Sequence, residues 1–437
     1  MLERHAILVF VAVLLAALTL VGGCKEKRAS TSSSAAMPTV SPGDAPPASG
    51  SSKEQEERYW KPRGSGSIQL AWKQQTMLHQ MFLKKYDAAD EEGKKGLQAE
   101  LEKVFFRTNG VLVQLFESGI QEDPKDAANY VSYGLYLLPR KGQFENAISL
   151  IEKATTLERD NAGHHFLLAD AYVAPLRSGE FLASGDTRAI RYARYTDKYE
   201  VELQRARKLM PDNAFFDYYD ALTTYGFEGD LDAAWKLILQ GNAKPKSYFI
   251  LPPPLPMMAD SWLTVFEYPN SLHLYWNSAY YPADDFTKLT VNLLTSDAIK
   301  NQPGQIFEVA RFVFHASHTR PFDRLYHFLL GMSIEQAINY YQDLGSEKKV
   351  EELKEVRNFY DQVTVTMADA FLQDVLGNEP GVREPQDRLD LEVQLRRQAK
   401  TLIPIYPLEL RLMKKFRRAL DLDPEQYPVF NDLWQPE

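Results

Sequence analysis

From about Tyr59 to the C-terminus, apolar residues recur three and four positions apart and strict alternation is scarce. That is the period of a helix with one buried face, so the pattern predicts helices rather than strands. Two stretches carry it plainly: GLQAELEKVFFRTNGVLVQLFESGI over 96–120 and EKKVEELKEVRNFYDQVTVTMADAFLQDVL over 347–376. Gly, Pro, Asp and Asn interrupt such segments at short intervals, which predicts helical hairpins rather than one long coiled coil. The expected fold class is all-α.

The pattern fails in two places. Residues 26–56, EKRASTSSSAAMPTVSPGDAPPASGSSKEQE, hold almost no large apolar side chain and cannot bury enough surface to fold. They read as a disordered tether, and a coil of about 30 residues reaches roughly 30 Å. Further on, LPPPLPMM (Leu251–Met258) breaks the helical pattern and reads as a stiff connection, or as a polyproline-type ligand. Trp262, Phe266, Tyr268, Tyr275, Trp276, Tyr280, Tyr281 and Phe286 follow, with Pro and Asn between them, which suggests irregular structure around short helices. Helical periodicity resumes after about Pro303.

At the other end, Ala6–Val21 (AILVFVAVLLAALTLV) carries no charge and leads into Gly22, Gly23, Cys24 and a basic, polar stretch. This is a signal-peptide layout. The run is shorter than the ~20 apolar residues a spanning helix needs, and an uncleaved anchor extended by the two glycines is the alternative. Cys24 is the single cysteine of 437 residues, so no intramolecular disulfide or cysteine-based zinc site can form.

Val21-Gly22-Gly23-Cys24 resembles the lipobox of bacterial lipoproteins, with Val21 where Leu is commoner and Glu3 offsetting Arg4 upstream. The resemblance implies a signal peptide over 1–23 and a mature chain beginning at an acylated, palmitate-bearing Cys24. Two or more acyl chains give durable anchoring. Lys25 in the second mature position resembles the pattern sorted to the outer membrane of Gram-negative bacteria. The implied location is the cell envelope, lipid-anchored at the outer membrane and facing the periplasm.

A second resemblance lies in the body. Gly142-Gln143-Phe144-Glu145-Asn146-Ala147-Ile148, then Ile151, Ala154 and Leu157, resembles the second helix of a tetratricopeptide repeat. Tyr130, Tyr133, Gly134 and Leu137 stand at the spacing of that family's first helix. The small residue lets two helices approach while its large neighbours fill the gap beside it. A next unit begins near Ala162 with His165, Leu168, Ala169 and Tyr172, and closes at Ala206 and Pro211. A third begins near Ala214, with Ala221 in the small position and GDLDAAWKLI (Gly229–Ile238) opening its second helix. Gly119 with Pro124 and Ala419 with Pro424 echo the closing spacing. Arg159 replaces one closing proline, and VAPLRSGEFLASGDTRAI (Val173–Ile190) is inserted in the second unit, where a repeat protein can carry a specific contact. The resemblance implies a TPR-like α-solenoid over 58–248, followed by a less regular helical region over 249–437.

In that family the first helices of successive repeats line a peptide-holding groove. By phase, the groove here would consist of Val131, Leu135, Phe166, Asp170, Phe215, Tyr218, Leu222 and Tyr225. Such an apolar surface suits an apolar helix or strand. The alternative is that the second half, or an N-terminal helix from Tyr59 to Lys84, fills it.

Charge narrows the function. A formal net charge of −9 offers no basic footprint for phosphates, so nucleic acid is not an expected partner. There is no Gly-x-Ser-x-Gly elbow, Walker loop or dinucleotide fingerprint. His315 and His318 in FHASHTRPFD are three apart and would share a helix face, as a metal pair does, with Glu308, Asp323 or His327 as third ligand. No glutamate stands between them to act as a base, and packing or capping at a helix end is the competing use. The adjacent His164 and His165 point in different directions, so they make a weaker metal pair. Asp284 and Asp285 are a carboxylate pair of the kind glycan cleavage uses, but in that position they suit a helix N-terminus better.

The expectation is therefore a non-catalytic, lipid-anchored envelope scaffold without a cofactor, binding a protein or peptide. A small-ligand-binding lipoprotein serving a solute transporter is the alternative, with an aromatic cavity built from Trp262, Tyr275, Trp276 and Tyr281. A metal-dependent enzyme using His315 and His318 is the third reading.

Overall fold

The computed structural model describes residues 64–90, 92–97, 100, 107–138, 140, 142–177, 188–245, 247, 283–318, 324–376 and 408–429, all within one compact unit, Ser49–Glu437. Cys24, the tether, the Leu251–Met258 segment and the aromatic set Trp262, Tyr275, Trp276 and Tyr281 lie outside the described residues.

The chain is all-α, as its periodicity predicts. The first half runs α1 (Gly66–Ala88), α2 (Gly110–Glu122), α3 (Ala127–Leu137), α4 (Phe144–Leu157), α5 (Ala162–Arg177), α6 (Arg188–Leu209), α7 (Phe215–Glu228) and α8 (Leu231–Asn242). The second runs α9 (Ala283–Thr295), α10 (Asp297–Lys300), α11 (Pro303–His318), α12 (Arg324–Asp343) and α13 (Glu347–Leu376), with a last helix α14 over 408–419. Among the described residues no helix is long and apolar enough to cross a membrane.

Local chemistry sets the helix ends. The side chains of Asn109, Asp126 and Asp230 accept from Val111, Ala128 and Ala233 backbone N–H groups at 3.0, 2.9 and 2.9 Å. Each satisfies a donor that the first turn leaves orphaned. Gly229 ends α7 at φ 71°, a left-handed C-cap that only a residue without Cβ adopts at no steric cost.

Sequential helices pack in pairs: α1 with α2, α3 with α4, α5 with α6, α7 with α8, α11 with α12 and α12 with α13. The glycine at the small position of the first repeat-like unit does what its spacing implies. A Cβ at Gly134 would lie 2.6 Å from Ile151 Cγ1 and 3.0 Å from the Ala147 carbonyl oxygen, so α3 and α4 close to a distance no other residue allows. Gly119 on α2 receives Ile68 of α1 in the same way, and Gly241 on α8 receives the Tyr218 ring of α7.

Large aromatics fill the space beside these contacts. Trp72 of α1 meets Phe116 edge-on at 5.7 Å, and Phe116 stacks on Tyr133 at 5.1 Å. Such pairs contribute about 0.5–1.5 kcal/mol beyond the area they bury. The insertion read as a loop over Val173–Ile190 is shorter than expected, because α5 runs on to Arg177 and α6 starts at Arg188. Only 178–187 of it fall outside the described residues.

The halves on either side of the proline-rich segment also touch. α7 packs on α9 and α11, and α8 packs on α9 and α11. At the far end, Phe416 of α14 packs on Phe307 of α11, with ring centroids 5.7 Å apart. Lys349 of α13 ties down the turn after α14, reaching Asp421 at 2.7 Å and the Ala419 carbonyl at 3.0 Å.

Candidate functional site

The groove expected from repeat phase is occupied by the chain itself. Val131, Leu135, Phe166, Asp170, Phe215, Tyr218 and Leu222 are all buried, and Tyr225 is half-buried. Phe166 packs on Phe215 and Tyr219 at 4.9 and 4.8 Å. Asp170 accepts a hydrogen bond from the Tyr219 hydroxyl. Tyr218 meets Phe312 of α11 edge-on at 5.1 Å, and Tyr225 accepts from Asn292 of α9. The physical reason is the hydrophobic effect: a ring-rich face this large is more stable against α9 and α11 than in water. Of the two occupants the sequence suggested, the second half is the one that covers Tyr218 and Tyr225.

A polar chain crosses this covered face. Glu308 and Arg311, three apart on α11 and both buried, form an ion pair at 2.8 Å. Asn242, at the end of α8, donates through Nδ2 to the Glu308 carboxylate (2.6 Å) and carbonyl (2.9 Å), while its own carbonyl accepts from Arg311 at 2.5 Å. This fixes the amide so that Oδ1 accepts from the Tyr218 hydroxyl at 2.8 Å. The single hydroxyl proton is thereby committed. The Tyr218 oxygen, 2.7 Å from His315 Nδ1, is left to accept, and His315 carries its proton on Nδ1 in that contact. Glu308, Arg311 and His315 thus occupy one face of α11, three and four positions apart.

His315 is therefore engaged in packing, which is the competing use the sequence allowed, and it lies beside Phe314 as well as Tyr218. Glu308, offered as a third metal ligand, is held by Arg311 and Asn242. His318 ends α11, and its side chain lies outside the described residues, as do those of Asp323 and His327. Among the described residues no cluster of three or more metal-ligating side chains occurs. Asp284 and Asp285 fall in the first turn of α9, and their side chains lie outside the described residues.

A second polar seam joins α5, α6 and α7. His165, buried near the start of α5, places Nδ1 2.6 Å from the Glu202 carboxylate of α6 and Nε2 2.8 Å from the Arg159 carbonyl in the corner between α4 and α5. The Glu202 hydrogen bond raises the imidazole pKa above its ordinary value; burial opposes this and the Arg159 carbonyl reinforces it. On α7, Asp217 is shared by Arg207 (3.0 Å) and Lys244 (2.5 Å), and Asp220 by Arg207 and the Tyr199 hydroxyl.

Among the described residues, an open cleft lies between α12 and α13. It is lined by Phe328, Met332, Gln336, Asn339, Arg357 and Tyr360. Phe328 is 56% exposed, a high figure for an aromatic ring. Arg357 lies over the Tyr360 ring at 4.9 Å and is held by Glu335 at 2.9 Å and Asp361 at 3.2 Å. Gly331 brings α12 so near that a Cβ there would sit 2.7 Å from the Tyr360 ring.

Sequence reasoning missed this cleft and the roles of Asn242 and Arg311. The polar stripe Glu308, Arg311, His315 on an otherwise apolar helix was the available signal, since buried polar residues on a core helix need partners. No family model, curated protein or solved structure matches the chain.

Proposed function

We propose that this chain is a lipid-anchored scaffold of the cell envelope: a TPR-like helical body on a Ser/Pro/Ala-rich tether, held at a membrane through acylated Cys24, that docks a protein partner without catalysis. The observation that carries the reading is the sequence of a lipobox-like Val21-Gly22-Gly23-Cys24, a tether and then paired helices closed at Gly134 and Gly119. A rigid body of that kind presents surface and holds little of its own chemistry in the open. Because the phase-defined groove residues are buried within the body, with Tyr218 and Tyr225 against α11 and α9, partner contacts fall to outward surface such as the α12–α13 cleft. Fold alone does not fix function, so the reading stands on the anchor and the surface together.

The test is recovery of the full-length protein from its native envelope after mild cross-linking, with the bound material identified. A reproducible protein partner at fixed stoichiometry supports the scaffold. Recovery of the protein alone with a retained small molecule overturns it in favour of a ligand-binding lipoprotein serving a transporter.

A further inference from the structure

His165 faces two acceptors at once. The Glu202 carboxylate stands 2.6 Å from Nδ1, and the Arg159 backbone carbonyl, which can only accept, stands 2.8 Å from Nε2. A neutral imidazole has one N–H and one bare nitrogen, so either tautomer would press a lone pair against an oxygen lone pair at hydrogen-bond distance. Only the imidazolium donates to both. The side chain is buried, so water cannot relieve the mismatch.

The charged groups around it are consistent with a cation. On α6, Glu202 is also held by Arg205 at 2.5 Å. In the α4–α5 corner, Glu158 accepts from Asn161 at 2.8 Å and faces the neighbouring His164 at 3.4 Å rather than His165. On α4, Glu152 is taken by the Tyr172 hydroxyl at 2.8 Å, and Lys198 of α6 lies over the Tyr172 ring. On α7, Asp170 of α5 meets Tyr219. Glu202 is therefore the carboxylate that meets His165.

We propose that His165 is a proton-held clasp: as the imidazolium it joins the α4–α5 corner to α6, and on losing its proton it keeps Glu202 and releases the corner, so that the α4–α5 corner loosens as pH rises while the α5–α6 contact stays. The carboxylate is the stronger acceptor, so the remaining N–H stays with Glu202 and the Arg159 carbonyl loses its donor. The direction follows from linkage. The folded state holds the proton more tightly than the unfolded chain, so the clasp contributes fully below the ordinary histidine range near 6.5 and is lost as pH climbs through the raised folded value.

The test uses the full chain with its eight histidines labelled with nitrogen-15 and the His165 signal assigned by its loss in His165→Gln. Both ring nitrogens of His165 are expected to be protonated below its midpoint, and that midpoint is expected to lie above that of a free histidine. Amide exchange of His164 and His165, corrected for intrinsic pH dependence, is expected to accelerate through the same midpoint. Glu202→Gln should lower the midpoint even if His165→Gln folds poorly. A midpoint at or below the free value, or a midpoint unmoved in Glu202→Gln, would overturn the proposal.

Discussion

The Tyr218 hydroxyl lies 2.7 Å from His315 Nδ1 across 97 positions of sequence. That contact joins a helix of the repeat-like half to a helix beyond the proline-rich segment, and both side chains are buried. The same Tyr218 hydroxyl donates to Asn242 Oδ1, and Asn242 is itself bonded to Glu308 and Arg311.

The first prediction concerns that cluster. Arg311→Met strands a buried Glu308 carboxylate and should cost about 3–5 kcal/mol, whereas Glu308→Gln combined with Arg311→Met should cost less than the single change. Urea unfolding of Arg311→Met, Glu308→Gln and the double variant measures this. Additive losses would show that the pair is not coupled.

The second concerns the closest helix approach. Gly134→Ala gains roughly 1 kcal/mol of helix propensity but drives a Cβ into Ile151 and the Ala147 carbonyl, and backbone cannot yield cheaply. A net loss of about 1–2 kcal/mol is expected. Gly110→Ala, at the start of α2 with open space around its Cβ position, should be neutral or slightly stabilising. Comparing the two melting temperatures separates packing from propensity.

The third concerns the anchor. Cys24→Ser should release the protein from membranes while far-ultraviolet circular dichroism of the helical body stays unchanged. Retention of the variant in the membrane fraction after a high-salt wash would remove the basis for lipid attachment.

The fourth concerns the α12–α13 cleft. Phe328 is exposed, so Phe328→Asp should leave the melting temperature within about 1 °C while reducing recovery of a protein partner several-fold. Recovery equal to that of the parent chain would move the docking surface elsewhere on the body.

Much of the fold was legible in sequence because its signals are local. A period near 3.6 marks α2, α4 and α13, and Asn109, Asp126 and Asp230 mark their own caps within three residues. Gly134 between Tyr133 and Leu137 announces a close helix approach before any partner is known. The groove residues show the limit of this reasoning. Repeat phase puts Phe166 on one face of α5 and Phe215 and Tyr218 on one face of α7, but whether those faces meet water or other helices depends on where the rest of the chain goes.

Sequence alone therefore determined the helical class and the small positions where helices close. Tertiary structure decided that α9 and α11 cover the aromatic face, that His315 hydrogen-bonds to Tyr218, and that His165 bridges Arg159 and Glu202. The division has a physical cause. Helix periodicity, caps and small-residue spacing act within one or two turns and are written in neighbouring residues. Contacts between distant segments are chosen by the burial of whole faces, a collective quantity that no single stretch of sequence carries.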